Sequence, residues 1–226
     1  MAARVKLSIV VPAYNEAAVV GEALRALAPM RARGHEVILA DGGSEDATRE
    51  LAAPCADRLV LAPRGRARQM NAGAGAASGE ALLFLHADTR LPANADALIF
   101  DALKKNRWGR FDVAIEGRSP LLPAIAFFVN LRSRITGIAT GDQAIFVRRD
   151  AFDGFPEIAL MEDVAFSKIM KRTSPPACLR AKAATSGRRW DEQGVVRTIF
   201  LMWRLRLAYF FGAAPDELAR RYASKA

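Results

Sequence analysis

Cysteine is scarce in this sequence of 226 residues: Cys55 and Cys178 stand alone, with no metal-ligand or redox spacing. Buried thiols in a reducing cytosol are expected. No Gly-Lys-Ser/Thr loop occurs, and no GxGxxG follows the first strand-like run, so neither a Walker loop nor a dinucleotide fingerprint is present. No basic segment followed by an apolar one opens the chain, and strand-like sequence begins by Leu7. A secretory leader is therefore not expected, and a cytoplasmic location is. Long hydrophobic runs are missing as well. Within 121–138 the unbroken apolar stretch is soon followed by Arg132 and Arg134, and 195–212 is interrupted by Arg197, Arg204 and Arg206. Both suit core or interface helices better than a bilayer span. No internal repeat or low-complexity linker is visible.

What is present suits one sizeable core, since the chain is short for two. The net charge of +9 is unevenly placed: residues 172–226 carry eleven Lys/Arg against four Asp/Glu, leaving the remainder near balance. A basic C-terminal quarter fits a surface that meets phosphates, whether of a substrate, a lipid or a nucleic acid. A solvated basic face without a partner is the plain alternative.

Strand and helix patterns alternate through the first half. Residues 7–11 form an apolar run, broken only by Ser8, of the buried parallel-strand kind. Asn15 is a plausible cap for a helix reaching about residue 33, with Ala17, Val20, Leu24 and Leu27 at helical spacing. Strands are expected at 36–40, 58–62 and 81–86, and helices after Ser44 and Asp46, within 65–78 and over 94–105. This rhythm predicts a parallel sheet covered on both faces. Beyond Gly109 it changes, with strands expected at 111–116 and 144–148.

Six constellations carry chemistry. Pro12, Tyr14 and Glu16 follow the first strand, where Tyr14 can stack on a base or merely close the strand end. Asp41-Gly42-Gly43-Ser44 ends the second strand, and Asp41 can accept from a base N–H or ribose hydroxyl, unless the segment is a plain turn. In Arg64-Gly65-Arg66-Ala67-Arg68, arginines enter a helix N-terminus, and Arg68 can reach a base carbonyl or phosphate. His86-Ala87-Asp88 places one carboxylate where a divalent cation takes one or two plus substrate phosphates. His86 orients a water, binds Mn²⁺, or simply bonds to backbone. Glu162-Asp163 suits a proton acceptor at a helix start, or an acid pair serving the helix dipole. Arg188, Arg189 and Trp190 suit a diphosphate, guanidinium being a forked donor, or else a basic helix start.

In order, VVPAYNE, DGGSEDAT, RGRARQMNAGA, LLFLHADT, GDQAIFVRR, MEDVAF and TSGRRW resemble the family 2 (GT-A fold) glycosyltransferases. The pieces span most of residues 6–194. The resemblance implies an α/β, Rossmann-like, mostly parallel sheet with helices on both faces and a C-terminal helical segment. One domain, 1–226, would divide into a nucleotide-sugar half (6–108), an acceptor and catalytic half (109–194) and C-terminal helices (195–226). It implies inverting transfer from a nucleoside-diphosphate sugar, UDP being the commonest base, to a hydroxyl acceptor. Asp41 and Arg68 would contact the donor, Asp88 an Mn²⁺ or Mg²⁺ ion, and Asp163 would be the base. Arg188, Arg189 and Trp190 sit where the family carries a QxxRW-like element, without its Gln. GDQ, MEDV and SGRRW in so compact a chain look like the small subgroup associated with arsenosugar biosynthesis.

Two other classes compete. A sugar-phosphate nucleotidyltransferase also uses an α/β sheet with cation-binding acids, but it usually carries a Gly-rich loop after its first strand that is absent here. A non-enzymatic basic module would bind polyanions or a membrane surface. Nucleic acid is not the expected partner, whereas Trp203, Tyr209, Phe210 and Phe211 leave homodimerisation or contact with the inner face of the membrane open.

Overall fold

The computed structural model describes residues 6–223. Its frame is an eight-stranded sheet of β1 (Leu7–Ala13), β2 (Glu36–Asp41), β3 (Arg58–Leu61), β4 (Ala81–Phe84), β5 (Thr89–Arg90), β6 (Trp108–Glu116), β7 (Phe146–Arg148) and β8 (Ala177–Ser186). Their spatial order is β3-β2-β1-β4-β7-β6-β8-β5. The first four strands in that order are parallel, as the alternating pattern requires. β7 then runs antiparallel to both β4 and β6, β8 lies parallel to β6, and the short β5 closes the edge antiparallel to β8.

The helices are α1 (Val20–Arg25), α2 (Ala28–Ala32), α3 (Thr48–Ala52), α4 (Arg66–Ala76), α5 (Ala95–Leu103), α6 (Leu122–Thr136), α7 (Glu162–Met170), α8 (Arg188–Gln193), α9 (Val195–Phe210) and α10 (Pro215–Ala223). Alternation along β1 sorts them. Ile9 and Val11 face a core built with Val20, Leu24, Leu27 and Ile99, whereas Val10 faces Met70, Ala74, Phe166 and Met170. The sheet is thus covered on both sides, with α1, α2 and α5 opposite α4 and α7. Gly73 makes the α4 contact close, since a Cβ there would stand 2.4 Å from Val10 Cγ1. A third cluster joins Leu160, Met161 and Val164 to Leu205 of α9 and Leu218 of α10.

Three expectations are corrected. The single helix expected up to residue 33 is broken into α1 and α2, with Pro29 in the first turn of α2, where its missing N–H costs nothing. Asn15 does not cap it: the residue has φ +54° and its side-chain oxygen accepts the Glu45 N–H at 2.9 Å. β5 and β8 were not foreseen, and β6 begins earlier than expected, at Trp108. Its pattern is masked by Arg110 and Asp112, polar residues that are buried because they pair with each other, with Arg134 adding a 2.5 Å contact to Asp112.

Candidate functional site

The carboxyl ends of β1, β2 and β4 release their loops on one edge, where open α/β sheets bind ligands. Pro12 is buried near the end of β1 and lacks the N–H that would extend the ladder to β4, whose pairing ends at Val10. The chain there turns into Tyr14–Glu16 and is stitched to the loop after β2. Asn15 N–H donates to Ser44 Oγ, Glu16 N–H to Thr48 Oγ1 and Ala17 N–H to Asp46 Oδ2, at 2.8–3.1 Å. Tyr14 carries the Arg64 guanidinium 4.1 Å above its ring. Asp41 is 1% exposed and accepts from the Gly43 and Ser44 amides and the Ser44 hydroxyl. In this structure Asp41 shapes the turn beside Tyr14.

The charged groups gather next to it. Arg66, at the first position of α4, lies 3.4 Å (Nε–Oε1) from the buried Glu162. It is also within electrostatic reach of Asp163, Asp142 and Asp88. Arg68, two residues on, points elsewhere and pairs with Glu157 at 3.4 Å. Sequence reasoning singled out Arg68 and passed over Arg66. Residues two apart on a helix face different ways, which was the available signal.

Asp163 sits in the first turn of α7, preceded by Met161 in the left-handed region at φ +71°. Its carboxylate accepts from Gly141 N–H at 3.0 Å and Val164 N–H at 2.7 Å. Burial, reinforced by the neighbouring Glu162 charge, pushes its pKa up to about 6. Those amides hold the carboxylate in place while burial keeps it basic.

His86 and Asp142 form a second pair at 3.2 Å. Burial alone would lower the His86 pKa, but the hydrogen bond and charge of Asp142 outweigh it and raise the value. Gly141 makes this possible: a Cβ there would lie 2.4 Å from His86 Nε2. Asp142, the acid of the GDQ segment, is thus a further site residue. Glu16 faces the same cluster, its pKa raised chiefly by burial, with Arg188 opposing and Asp88 adding.

β8 delivers the last group. Thr185 Oγ1 accepts from Thr89 Oγ1 at 3.1 Å, and Ser186 N–H donates to the Asp88 carbonyl at 3.2 Å. The chain then enters α8 with Arg188 near Glu16, and Arg189 within electrostatic reach of Asp142 and Asp88. Arg189 also stacks 4.3 Å over Tyr222. Trp190 is partly buried beside these arginines. Asn15, Ala144 and Met161, the non-glycine residues with positive φ among those described, all flank this edge. Backbone strain of that kind collects at sites that need fixed geometry.

The sheet edge of this α/β frame sets Arg66, Arg188 and Arg189 among carboxylates. Residues 8–163 match Glycosyl transferase family 2, and the chain belongs to that family. It is similar to the PGL/p-HBAD biosynthesis glycosyltransferase of Mycobacterium bovis (strain BCG / Pasteur 1173P2), 38% identical over 91 residues. That match covers 37% of this chain and 36% of the relative, so the likeness spans about a third of the relative's length. Among solved structures, the mannosyltransferase PcManGT from Pyrobaculum calidifontis, in complex with GDP-Man and Mn²⁺, superposes with a TM-score of 0.66 at 19% identity. The alignment covers 99% of this chain and 70% of that one. S. aureus TarS 1-349 in complex with UDP gives 0.64 at 20% identity, covering 80% and 60%. These likenesses show the GT-A-like fold.

Proposed function

We propose that the protein transfers a sugar from a nucleoside-diphosphate sugar to an acceptor hydroxyl, with inversion, and that Asp163 is the proton acceptor. One observation carries the reading: Asp163 and Asp88, far apart in sequence, both lie within electrostatic reach of the Arg66 guanidinium. The nucleotide end is assigned to Pro12, Tyr14, Glu16 and Asp41, with Arg68 at its margin. The diphosphate is assigned to Arg66, Arg188 and Arg189, with Trp190 supporting them. The neighbours bound to UDP and to GDP-Man support a nucleotide-sugar donor, and UDP is the base the sequence resemblance favours. The arsenosugar-associated subgroup remains the acceptor assignment suggested by GDQ, MEDV and SGRRW.

Asp163 takes the proton of the attacking hydroxyl as its oxygen bonds to the anomeric carbon. The bond from that carbon to the phosphate oxygen breaks, and its electron pair leaves on the diphosphate, where the arginines offset the charge. Among the described residues no group of three or more His, Cys, Asp or Glu side chains is placed to hold a metal ion. Asp88 nevertheless fits Mn²⁺ or Mg²⁺: its carboxylate receives only a 3.3 Å contact from Thr89 Oγ1, and such ions are held by one or two carboxylates plus substrate phosphates. When bound, the ion would neutralise diphosphate charge.

Calorimetry with UDP, GDP and their sugar conjugates, with and without Mn²⁺, tests the donor site, with Asp88→Ala as the variant. Binding that depends on Mn²⁺ in the native chain and is lost in Asp88→Ala supports the assignment. Turnover of UTP plus a sugar phosphate, with none of a UDP-sugar, would instead identify a nucleotidyltransferase.

A further inference from the structure

Helix α9 is apolar on two sides. Leu205 is buried against α7 and α10, and Leu201, Ala208 and Tyr209 pack around it. On the other side Val196, Phe200, Trp203, Leu207 and Phe210 are 59–76% exposed. Their spacing of four, three, four and three residues makes one continuous outward stripe. Nothing in the core accounts for it, because the packed face already anchors the helix. Exposed aromatic rows of this kind mark an interaction surface.

The charges decide the occupant. Arg197 and Arg204 are exposed together along one flank of the stripe, and no ion pair to a carboxylate involves either of them among the described residues. Residues 195–210 contain no acid at all. A second copy docking stripe to stripe would set one acid-free, arginine-bearing helix against another, which disfavours self-association. An anionic surface meets both demands at once. Helix α6 repeats the composition: Phe127, Phe128, Leu131 and Ile135 are 40–76% exposed, and its sequence also lacks acids. The two helices are joined at one end, where the Arg118 amide ahead of α6 donates to Asp191 of α8 at 3.0 Å and α8 leads directly into α9. No helix among the described residues is long and apolar enough to cross a membrane, so the contact lies in the plane of the surface.

We propose that the outward stripe of α9 docks on an anionic phospholipid bilayer, its aromatic rings entering the headgroup region and Arg197 and Arg204 meeting lipid phosphates. An apolar cavity of about 430 Å³ between α9 and α10 shares Arg204, Leu207 and Phe211 with this face, giving an acyl chain a place to lie. The opposite, packed face of α9 is near the site. Tyr209 of α9 and Arg132 of α6 are both within electrostatic reach of Asp163.

The test is co-sedimentation of the full chain with vesicles of phosphatidylcholine alone, and of phosphatidylcholine mixed equally with phosphatidylglycerol. It uses neither donor nor acceptor, so its outcome is independent of the transferase assignment. Native protein is expected to bind the mixed vesicles and scarcely the neutral ones. The exposed-site variant Phe200→Ser/Trp203→Ser/Leu207→Ser should lose that binding while keeping its thermal melting point. Arg197→Gln/Arg204→Gln should weaken it about thirtyfold, from the roughly fivefold that each basic residue near an anionic surface contributes. Failure of the native chain to bind mixed vesicles would overturn the proposal, as would variants that bind like it. So would a lipid-free dimer in sedimentation velocity that the triple variant converts to monomer, since a second copy would then cover the stripe.

Discussion

The backbone amide of Gly141 donates to Asp163 Oδ2 at 3.0 Å, fixing a carboxylate that approaches from another helix. The same glycine has no room for a Cβ because His86 lies against it. One residue therefore sets the spacing between the acid proposed as proton acceptor and the histidine beside Asp88.

Asp163→Asn keeps the shape of the side chain and removes its basicity. Turnover should fall by about 10²–10⁴, the usual consequence of losing a general base. Donor affinity by calorimetry should stay within a few-fold of native. Undiminished turnover would remove Asp163 from the role.

The pH profile follows from the same carboxylate. An ordinary aspartate has a pKa near 3.8, and burial beside Glu162 raises this one to about 6. The ionised form is the one that accepts a proton. Below about pH 6, kcat/KM should therefore drop about tenfold per pH unit, and above it level off. A profile flat down to pH 4.5 (roughly where unperturbed acids titrate) would contradict this.

Arg66→Met should act at both ends of the cleft. Removing a fixed donor that offsets leaving-group charge is expected to cost about 10²-fold in kcat. Arg66 also holds the Asp163 pKa down, so its loss should move the acid limb of the profile to higher pH. Arg66→Lys should restore part of both. Arg68→Met, whose arginine pairs with Glu157 instead, should leave the acid limb where it is.

Gly73→Ala tests the frame. A Cβ placed 2.4 Å from Val10 Cγ1 must push α4 away from β1, an overpacking that costs roughly 1–3 kcal/mol. Urea denaturation should show a lower midpoint with an unchanged slope.

The parallel part of the sheet was legible because β1, β2 and β4 are buried on both faces and so read as largely apolar runs. Acids at strand ends were legible for the same reason, since each strand announces its own terminus. β8 was not: half-exposed, with Arg180 and Lys182 alternating against alanines, it offers little hydrophobic contrast. Arg66 was overlooked because two arginines flank Ala67, and only the direction of the helix separates them. Asp142 lies in a short 3₁₀ turn whose placement beside His86 depends on contacts distant in sequence.

The Thr89–Thr185 pair bears on how such a protein diversifies. The family match stops at residue 163, yet the cations of α8 arrive at the end of β8, which pairs along its length with β6 and, near its end, with the short strand that follows Asp88. A tail grafted from a cousin would need a complementary strand at that seam before any of its own positive groups came into play. Swaps that break the seam should cost the cleft its Arg188 and Arg189 while leaving the parallel half of the sheet standing.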